Sequence, residues 1–508
     1  MADITAKGHF DNLNSGRSST LERAENNAKV TIPYLFLEEG STSNDDLTTG
    51  YGQGFGAKLV NHLTGKFALS ILPPSQSFYR LSAGLEAMEK ITNGDEDAKQ
   101  QVEIILAKME DGIMRYINNT KFRKSLYPAL RLAMVTGESL VEKLDNDKYK
   151  VHNLRNYVIK RDAQGNVINL VIKESIDYNA LEDELKSGVE APDEGENLDV
   201  DLYTRVYLDD TGSYQMFQEV EGNVFNESSI KSFTDNFINV RWNEVDGEDY
   251  ARSFVEEHYE TFVNLEKQMK VLVENAVVSS KTVFTVNPNG FTRLKDYTNA
   301  KNGDAISGSE LDIGTIKVNK GGDLQLTLKL VQDLKRELAE TFLMSSAGIR
   351  DAERVTAQEV QLVASELEAS FGGIYTAIAS DIQLPLVENA ISNLSIEGME
   401  DIDVIITSGV EALGRNVEQA KTMRMIQDLG SLAQLVGQEQ VANSLNVSSV
   451  ITSIVNNSGV GNKDFILTNI QRNANATAKA QDDVAKQVIE GGAKEVGANI
   501  ASQENLKG

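Results

Sequence analysis

The sequence predicts an α+β protein, mainly helical and built in several domains. Apolar residues recur every three or four positions over long stretches: Phe262, Leu265, Met269, Leu272 and Ala276, and later Val360, Val363, Leu367, Phe371, Ile374 and Ile378. That spacing lines one face of a helix. Two stretches before residue 250 read as β-hairpins around turn residues. The chain has 508 residues, against a prior of about 100–200 per domain.

Taken in order, residues 1–30 are polar, with a short helical candidate at Leu21–Val30. Glu38 to Asp46 reads as a loop. The glycine-rich run Gly50 to Lys58 lacks a Gly-Lys-Ser/Thr ending and a preceding apolar strand, so it fails as a phosphate loop. It serves instead as a flexible entry to a helix over Ala57–Leu72, with Leu59, Leu63, Phe67 and Leu72 inward and Pro73-Pro74 as its stop. Helical spacing returns at Val102, Ile105, Leu106, Met109, Ile113 and Ile117, and again at Leu126, Leu130, Met134 and Leu140. Tyr157–Arg161 and Asn166–Ile172 flank the turn Asp162-Ala163-Gln164-Gly165; Leu202–Leu208 and Ser213–Val220 flank Asp209-Asp210-Thr211-Gly212. Between the hairpins, Leu181–Asp201 is acidic, contains proline and glycine, and is expected to be a mobile loop. Residues 1–250 are expected to form one α+β unit.

From Gly247 to Leu394 the pattern is helix, compact insert, helix, loop and long helix. Ser253 and Glu256 have the spacing of a capping box, opening a helix of about 27 residues that would span roughly 40 Å. Lys281–Val286 reads as strand and Asn287-Pro288-Asn289-Gly290 as a turn, with further glycines to Gly322. Helical spacing resumes at Val331, Leu334, Leu338 and Phe342. Leu324, Leu326, Leu328 and Leu330 alternate strictly, which leaves open where strand hands over to helix. Thr356 and Glu359 suggest a second capping box, starting the longest helix. Gly372-Gly373 weakens that helix, and Pro385 is expected to kink it. Beyond Leu394, Ile402–Ile406 is a strand candidate and Val417–Leu435 a helical one. From Asn469 onward Ala, Gln, Asn and Lys dominate, fitting either a helical barrel segment or a disordered tail.

Composition excludes much. There is no cysteine, hence no disulfide framework and no thiolate chemistry. His9, His62, His152 and His258 are scattered without metal-ligand spacing, no serine lies in a Gly-x-Ser-x-Gly elbow, and no carboxylate pair stands out. No active site, cofactor or metal is expected. Met1 to Lys7 lacks a basic-then-apolar signal pattern, and no apolar run reaches about 18 residues, so a soluble chain is expected. The formal charge is −27. Tight phosphate binding draws on lysine and arginine, so this acidity argues against tight nucleic-acid binding and reads as solubility through a charged surface.

Several strings then fall in one order: Gly247-Glu248-Asp249-Tyr250-Ala251-Arg252-Ser253, Glu353 to Val360, Ala364 to Glu368, Gly372-Gly373-Ile374-Tyr375 and Leu384-Pro385-Leu386-Val387. In these the chain resembles the portal (head–tail connector) proteins of short-tailed, podovirus-type phages, from about Tyr34 to Gly414. The resemblance implies a portal-protein fold that assembles as a ring of twelve subunits. Its parts would be a wing at 1–250, stem helices at 251–280 and 326–345, and a clip at 281–325. A tunnel loop at 346–356, a long kinked wing helix at 357–395, and a crown and C-terminal barrel or tail at 396–508 complete it. The ring would sit at one capsid vertex, the head–tail junction of the virion, after assembly in the host cytoplasm. Double-stranded DNA would pass through it without sequence specificity. The implied partners are the major capsid protein, scaffold protein, large terminase, tail adaptor and nozzle proteins, and internal core proteins, with no membrane.

Three residue sets follow. Arg350 and Arg354 fall on the implied tunnel loop, with Asp351 and Glu353. The arginines would touch phosphates transiently or form intersubunit ion pairs, and the acids are read as ion-pair partners. Lys281, Arg293, Lys295 and Lys301 give the clip a basic bias, either a docking surface for acidic partner segments or solvated lysines. Phe262, Leu265, Met269 and Leu272 read as stem packing. The alternative to a conduit is an acidic helical assembly scaffold or chaperone without a channel. The insert at 281–325 favours the conduit, because a plain helical bundle needs only a short connection.

Overall fold

A computed structural model describes residues 5–38, 40, 54–74, 77–93, 95–144, 147–187, 189, 199–280, 282–317, 321–344, 357–394 and 402–406. The chain forms two compact units, one of residues 1–68 and 122–354, the other of residues 69–121 and 355–508. Residues 69–121, grouped by sequence with the rest of 1–250, thus cluster with the later part of the chain.

The chain opens with α1 (Ala6–Ser15) and α2 (Ser18–Val30). The first was not expected from so polar a stretch. Its N-terminus is held from both sides: the Thr5 side chain accepts the Gly8 amide, and the buried Glu219 carboxylate accepts the Ala6 amide. Helix α3 (Phe55–Ile71) buries Leu59, Leu63 and Phe67 and stops before Pro73-Pro74, as its spacing predicts. Then come β1 (Tyr79–Ala83), α4 (Leu85–Thr92), α5 (Glu96–Asn119) and α6 (Phe122–Thr136). Helix α6 does not reach Leu140. Gly137 takes a left-handed φ of 102°, and the chain turns into β2 (Glu138–Leu144).

The sheets of the first unit follow. Strands β3 (Lys148–His152), β4 (Tyr157–Arg161) and β5 (Val167–Asp177) precede α7 (Asp183–Lys186). Strands β6 (Asp199–Leu208), β7 (Tyr214–Val220), β8 (Asn223–Ile230) and β9 (Phe237–Arg241) complete them. One antiparallel sheet has the order β3-β2-β9, the other β4-β5-β6-β7-β8. Both expected hairpins are present, as β4–β5 and β6–β7. The acidic stretch between them is more than a loop. Leu181, Leu185 and Val189 are buried against Val200, Leu202 and Val220, apolar anchors among the carboxylates that fix α7 to the sheet. Residues 190–198 lie outside the described part. Elsewhere Ala6 and Phe10 of α1 pack with Val158, Val171 and Tyr203.

The long helix expected from Ser253 is two helices. Helix α8 (Phe254–Glu257) stops at His258, whose φ of −114° and ψ of 11° leave the helical region, and α9 (Tyr259–Ser280) resumes. The Ser253 hydroxyl accepts the Glu256 amide at 2.9 Å. The Glu256 carboxylate turns to Arg252 and Arg23, so half of the expected capping box forms. The insert carries β10 (Thr282–Val286), α10 (Leu294–Asn299) and β11 (Ile313–Lys317). Helix α11 (Gly321–Thr341) follows and takes in Leu324 to Leu330, so their alternation marks no strand.

In the second unit the longest expected helix is likewise two, α12 (Ala357–Phe371) and α13 (Gly373–Asn393), parted by Gly372 at φ 52°. Thr356 lies outside the described residues. The helix passes through Pro385, which is buried, and the interruption falls at the glycine. Tyr375, Ile378, Ile382 and Leu386 supply the core. The expected strand at Ile402–Ile406 is β12 (Ile402–Ile406), antiparallel to β1 with Leu81 opposite Val404. Glu110 of α5 secures β1, accepting the Tyr79 hydroxyl on its carbonyl and the Leu81 amide on its carboxylate, each at 2.8 Å. The helix candidate Val417–Leu435 and the segment from Asn469 lie outside the described residues.

Candidate functional site

Helices α9 and α11 are a pair of rods. Phe262, near the start of α9, meets Phe342, just past the end of α11, with ring centroids 5.6 Å apart, so the rods run antiparallel. Phe262 and Leu265 on α9 are fully buried, as are Val331, Leu338 and Phe342 along α11 and its end; Met269 and Leu272 are half-buried. The four residues read as stem packing thus follow one seam of α9, buried at the end where Phe262 meets Phe342 and more open toward the insert. There the rods expose Val271, Val273, Val277, Leu326, Leu328 and Leu330, with Leu326 71% accessible. Exposed apolar side chains in this number on an acidic protein suit a contact surface.

The insert is a two-stranded ribbon, β10 against β11 with Phe284 opposite Thr315. A ribbon alone is marginal, and a polar knot braces it. The Asp312 carboxylate accepts the Thr292 amide at 3.0 Å and its hydroxyl at 3.1 Å, while Thr292 Oγ1 accepts the Ser309 amide at 2.9 Å. The Asn287 amide donates to the Asp312 carbonyl, and the expected turn closes from the Gly290 amide to the Asn287 carbonyl. Hydrogen bonds led by the Thr292 amide hold the Asp312 carboxyl below its ordinary value. Around the knot, Phe291 and Leu311 are almost wholly exposed, at 89% and 94%. Of the basic set, Arg293, Lys295 and Lys301 are exposed on this insert; Lys281 lies outside the described residues, as do Arg350 and Arg354.

At the other end of the rods, residues 247–253 strap the first unit's sheets to α8. The Asp249 carboxylate accepts the Arg161 amide at 2.9 Å and pairs with Lys160 at 2.8 Å, and the Tyr250 hydroxyl accepts the Ile159 amide at 3.1 Å. These bonds cap the open edge of β4, the usual liability of a terminal strand. The Ala251 amide donates to Glu138, whose carboxylate also accepts the Tyr157 hydroxyl at 2.8 Å. Glu138 is fully buried. Burial pushes its carboxyl above the usual range, and Arg161, Tyr157, the Ala251 amide and Arg241 pull it back. Arg252 pairs with Glu248 and Glu256, and Ser253 accepts the Asn27 side-chain amide at 2.8 Å. A Cβ on Gly137 would lie 2.2 Å from the Ala251 carbonyl oxygen, so only glycine admits the strap this close.

An aromatic series runs through the same region. Phe67, Trp242, Phe254 and Phe342 follow one another at centroid distances of 5.0, 5.4 and 4.8 Å. Such contacts strengthen a core beyond their area. His258 sits against Phe254 and Phe342, so it is a seam residue. Burial lowers the proton affinity of its imidazole, with Glu257 and Glu337 opposing. His152 is buried 2.8 Å from Glu142. Among the described residues no three His, Asp or Glu side chains are placed to hold a metal ion, and no helix is long and apolar enough to cross a membrane. Sequence reasoning missed Gly137 and Glu138, because their role appears only when Ala251 arrives beside them.

A mixed α/β body carrying a rod pair, an insert at one end and a strap at the other defines a connector-type protein. Residues 4–466 match the family described as bacteriophage head to tail connecting protein. The portal protein of Enterobacteria phage T3 is 32% identical over 98% of this chain and 94% of its own length. That of Escherichia phage T7 is 31% identical over 93% and 90%, and that of Enterobacteria phage SP6 28% identical over 82% of each. The chain belongs to the bacteriophage head-to-tail connecting protein family. It is a portal-type, ring-forming protein of the capsid vertex, acting in DNA packaging and ejection. The alternative of a scaffold or chaperone without a channel is set aside.

Proposed function

We propose that α9 and α11 from Leu326 onward are the stem of this ring, that residues 281–325 are its clip, and that residues 346–356 form a tunnel loop facing DNA. The wing is residues 1–250 joined by 357–395, and residues 396–508 supply the crown. The single observation that carries this reading is the antiparallel rod pair, strapped at one end and bearing a braced insert at the other. Twelve subunits would place their exposed rod valines and leucines against neighbours, a heterologous contact that closes when the rotation permits. The channel repels DNA through the chain's acidity, so DNA slides without sequence-specific grip.

On this reading the clip docks the large terminase during packaging and the tail adaptor and nozzle afterwards. The major capsid, scaffold and internal core proteins meet other parts of the ring, which forms in the host cytoplasm before entering the virion. Arg293, Lys295 and Lys301, with Lys281, offer positive charge to acidic partner segments. Arg350 and Arg354 resist backsliding of packaged DNA. The test is Arg350→Ala with Arg354→Ala in assembled particles: DNA retention falls while the ring persists. Normal retention would overturn the role of the arginines.

A further inference from the structure

Helix α11 ends in an unusual way. The Met344 amide donates to the Ala339 carbonyl at 2.7 Å and the Leu343 amide to the Glu340 carbonyl at 3.0 Å, the paired bonds of a Schellman turn. The residue that must adopt the left-handed conformation in such a turn is ordinarily glycine. Here it is Leu343, at φ 52°, a conformation that a Cβ disfavours. Two side chains from α3 converge on its carbonyl oxygen. Lys66 Nζ donates to it at 2.9 Å, and His62 Nε2 lies 3.2 Å away. Lys66 is only 4% exposed, so its ammonium has been taken out of water to reach this place. A cation at a helix C-terminus is also favoured by the dipole of the helix.

We propose that Lys66 is a positioning residue, which with His62 holds Leu343 in its left-handed conformation and so sets the direction in which the chain leaves α11. The strain at Leu343 and the buried lysine explain each other: without the lysine the turn relaxes, and without the strained carbonyl the lysine has less reason to be buried. Its functional weight rests on the reading of α9 and α11 as the stem, since the exit of α11 then leads into the channel.

The test uses assembled rings and particles, and compares Lys66→Met, Lys66→Arg, Leu343→Gly and the Lys66→Met/Leu343→Gly pair. Deuterium exchange at the Phe342, Leu343 and Met344 amides should rise about tenfold in Lys66→Met, the scale of one charged hydrogen bond. Exchange around Val331 should not move. Lys66→Arg should restore protection. Leu343→Gly should suppress the effect of Lys66→Met, because glycine adopts the turn unaided. Unchanged exchange at 342–344 in Lys66→Met, or an equal rise along all of α3 and α11, overturns the proposal. DNA retention in packaged particles separates the two layers. A local exchange change with lowered retention supports both; a local exchange change with normal retention supports the positioning role and counts against the stem reading.

Discussion

Asp249 holds Arg161 twice: its carboxylate accepts the Arg161 amide at 2.9 Å, and its carbonyl accepts Arg161 Nε, also at 2.9 Å. The strap before α8 therefore completes the edge of a sheet as well as connecting it to the rods. Asp249→Ala removes the cap on the β4 amide and the Lys160 pair together. It should lower the stability of the first unit by about 1–3 kcal/mol, read as an earlier unfolding midpoint in urea. An unchanged midpoint would remove the strap's claim to anchor the rods.

Gly137 gives a sharper test of the same anchor. Its φ is 102°, and a Cβ there would stand 2.2 Å from the Ala251 carbonyl oxygen, which leaves no room for a methyl group. Gly137→Ala should cost more than about 3 kcal/mol and leave little folded protein. Calorimetry showing a transition close to the parent's would contradict this close approach.

Folding and assembly should separate along the rods. Leu265 is fully buried in the seam of its own chain, so Leu265→Asp should unfold the rod pair by burying a charge without a partner. Val277 and Leu326 are exposed in the single chain. Val277→Asp with Leu326→Asp should keep the monomer's circular dichroism and unfolding midpoint while abolishing the ring in sedimentation. A ring of normal mass from that pair would show that this stripe is not the contact between copies.

The insert should respond to acid. Asp312 is held below its ordinary value of 3.8 by the Thr292 amide and hydroxyl. Its stabilising contribution is therefore present above that value and is lost as pH falls through the depressed one. Exchange protection across Thr282–Lys317 should drop in acid before that of the sheets. Asp312→Asn should lose the protection at neutral pH as well. Equal protection of the variant at neutral pH would show that the knot does not depend on the carboxylate's charge.

Periodic segments were legible because periodicity is local. Leu59, Leu63 and Phe67 share a face whatever surrounds them, and the turn at Asp162–Gly165 sits between its strands in sequence. The break at His258 was not legible, and nor was the half-formed capping box: Ser253 and Glu256 have capping spacing, but Arg23, more than two hundred residues earlier, joins Arg252 in holding the Glu256 carboxylate. Strand β12 was visible, but its partner Tyr79–Ala83 lies far along the chain, beyond any local pattern. The alternating leucines at 324–330 were ambiguous because a period of two fits a strand, whereas in α11 it spreads them over two faces of a helix and leaves Leu326, Leu328 and Leu330 exposed. Gly247 to Ser253 stood out as a string, yet its chemistry depends on Glu138, Ile159 and Arg161, which only the fold brings to it. Lys66 and Leu343 carried no signal, since a buried lysine and a left-handed leucine look ordinary in sequence.

The central claim is that identical copies pack side by side around an open axis. Mass measurement combined with electron imaging of the purified, associated chain tests it most directly. The account predicts a single ring of twelve copies with a hole along its axis. Compact monomers at every concentration, or clusters with no central opening, would contradict it.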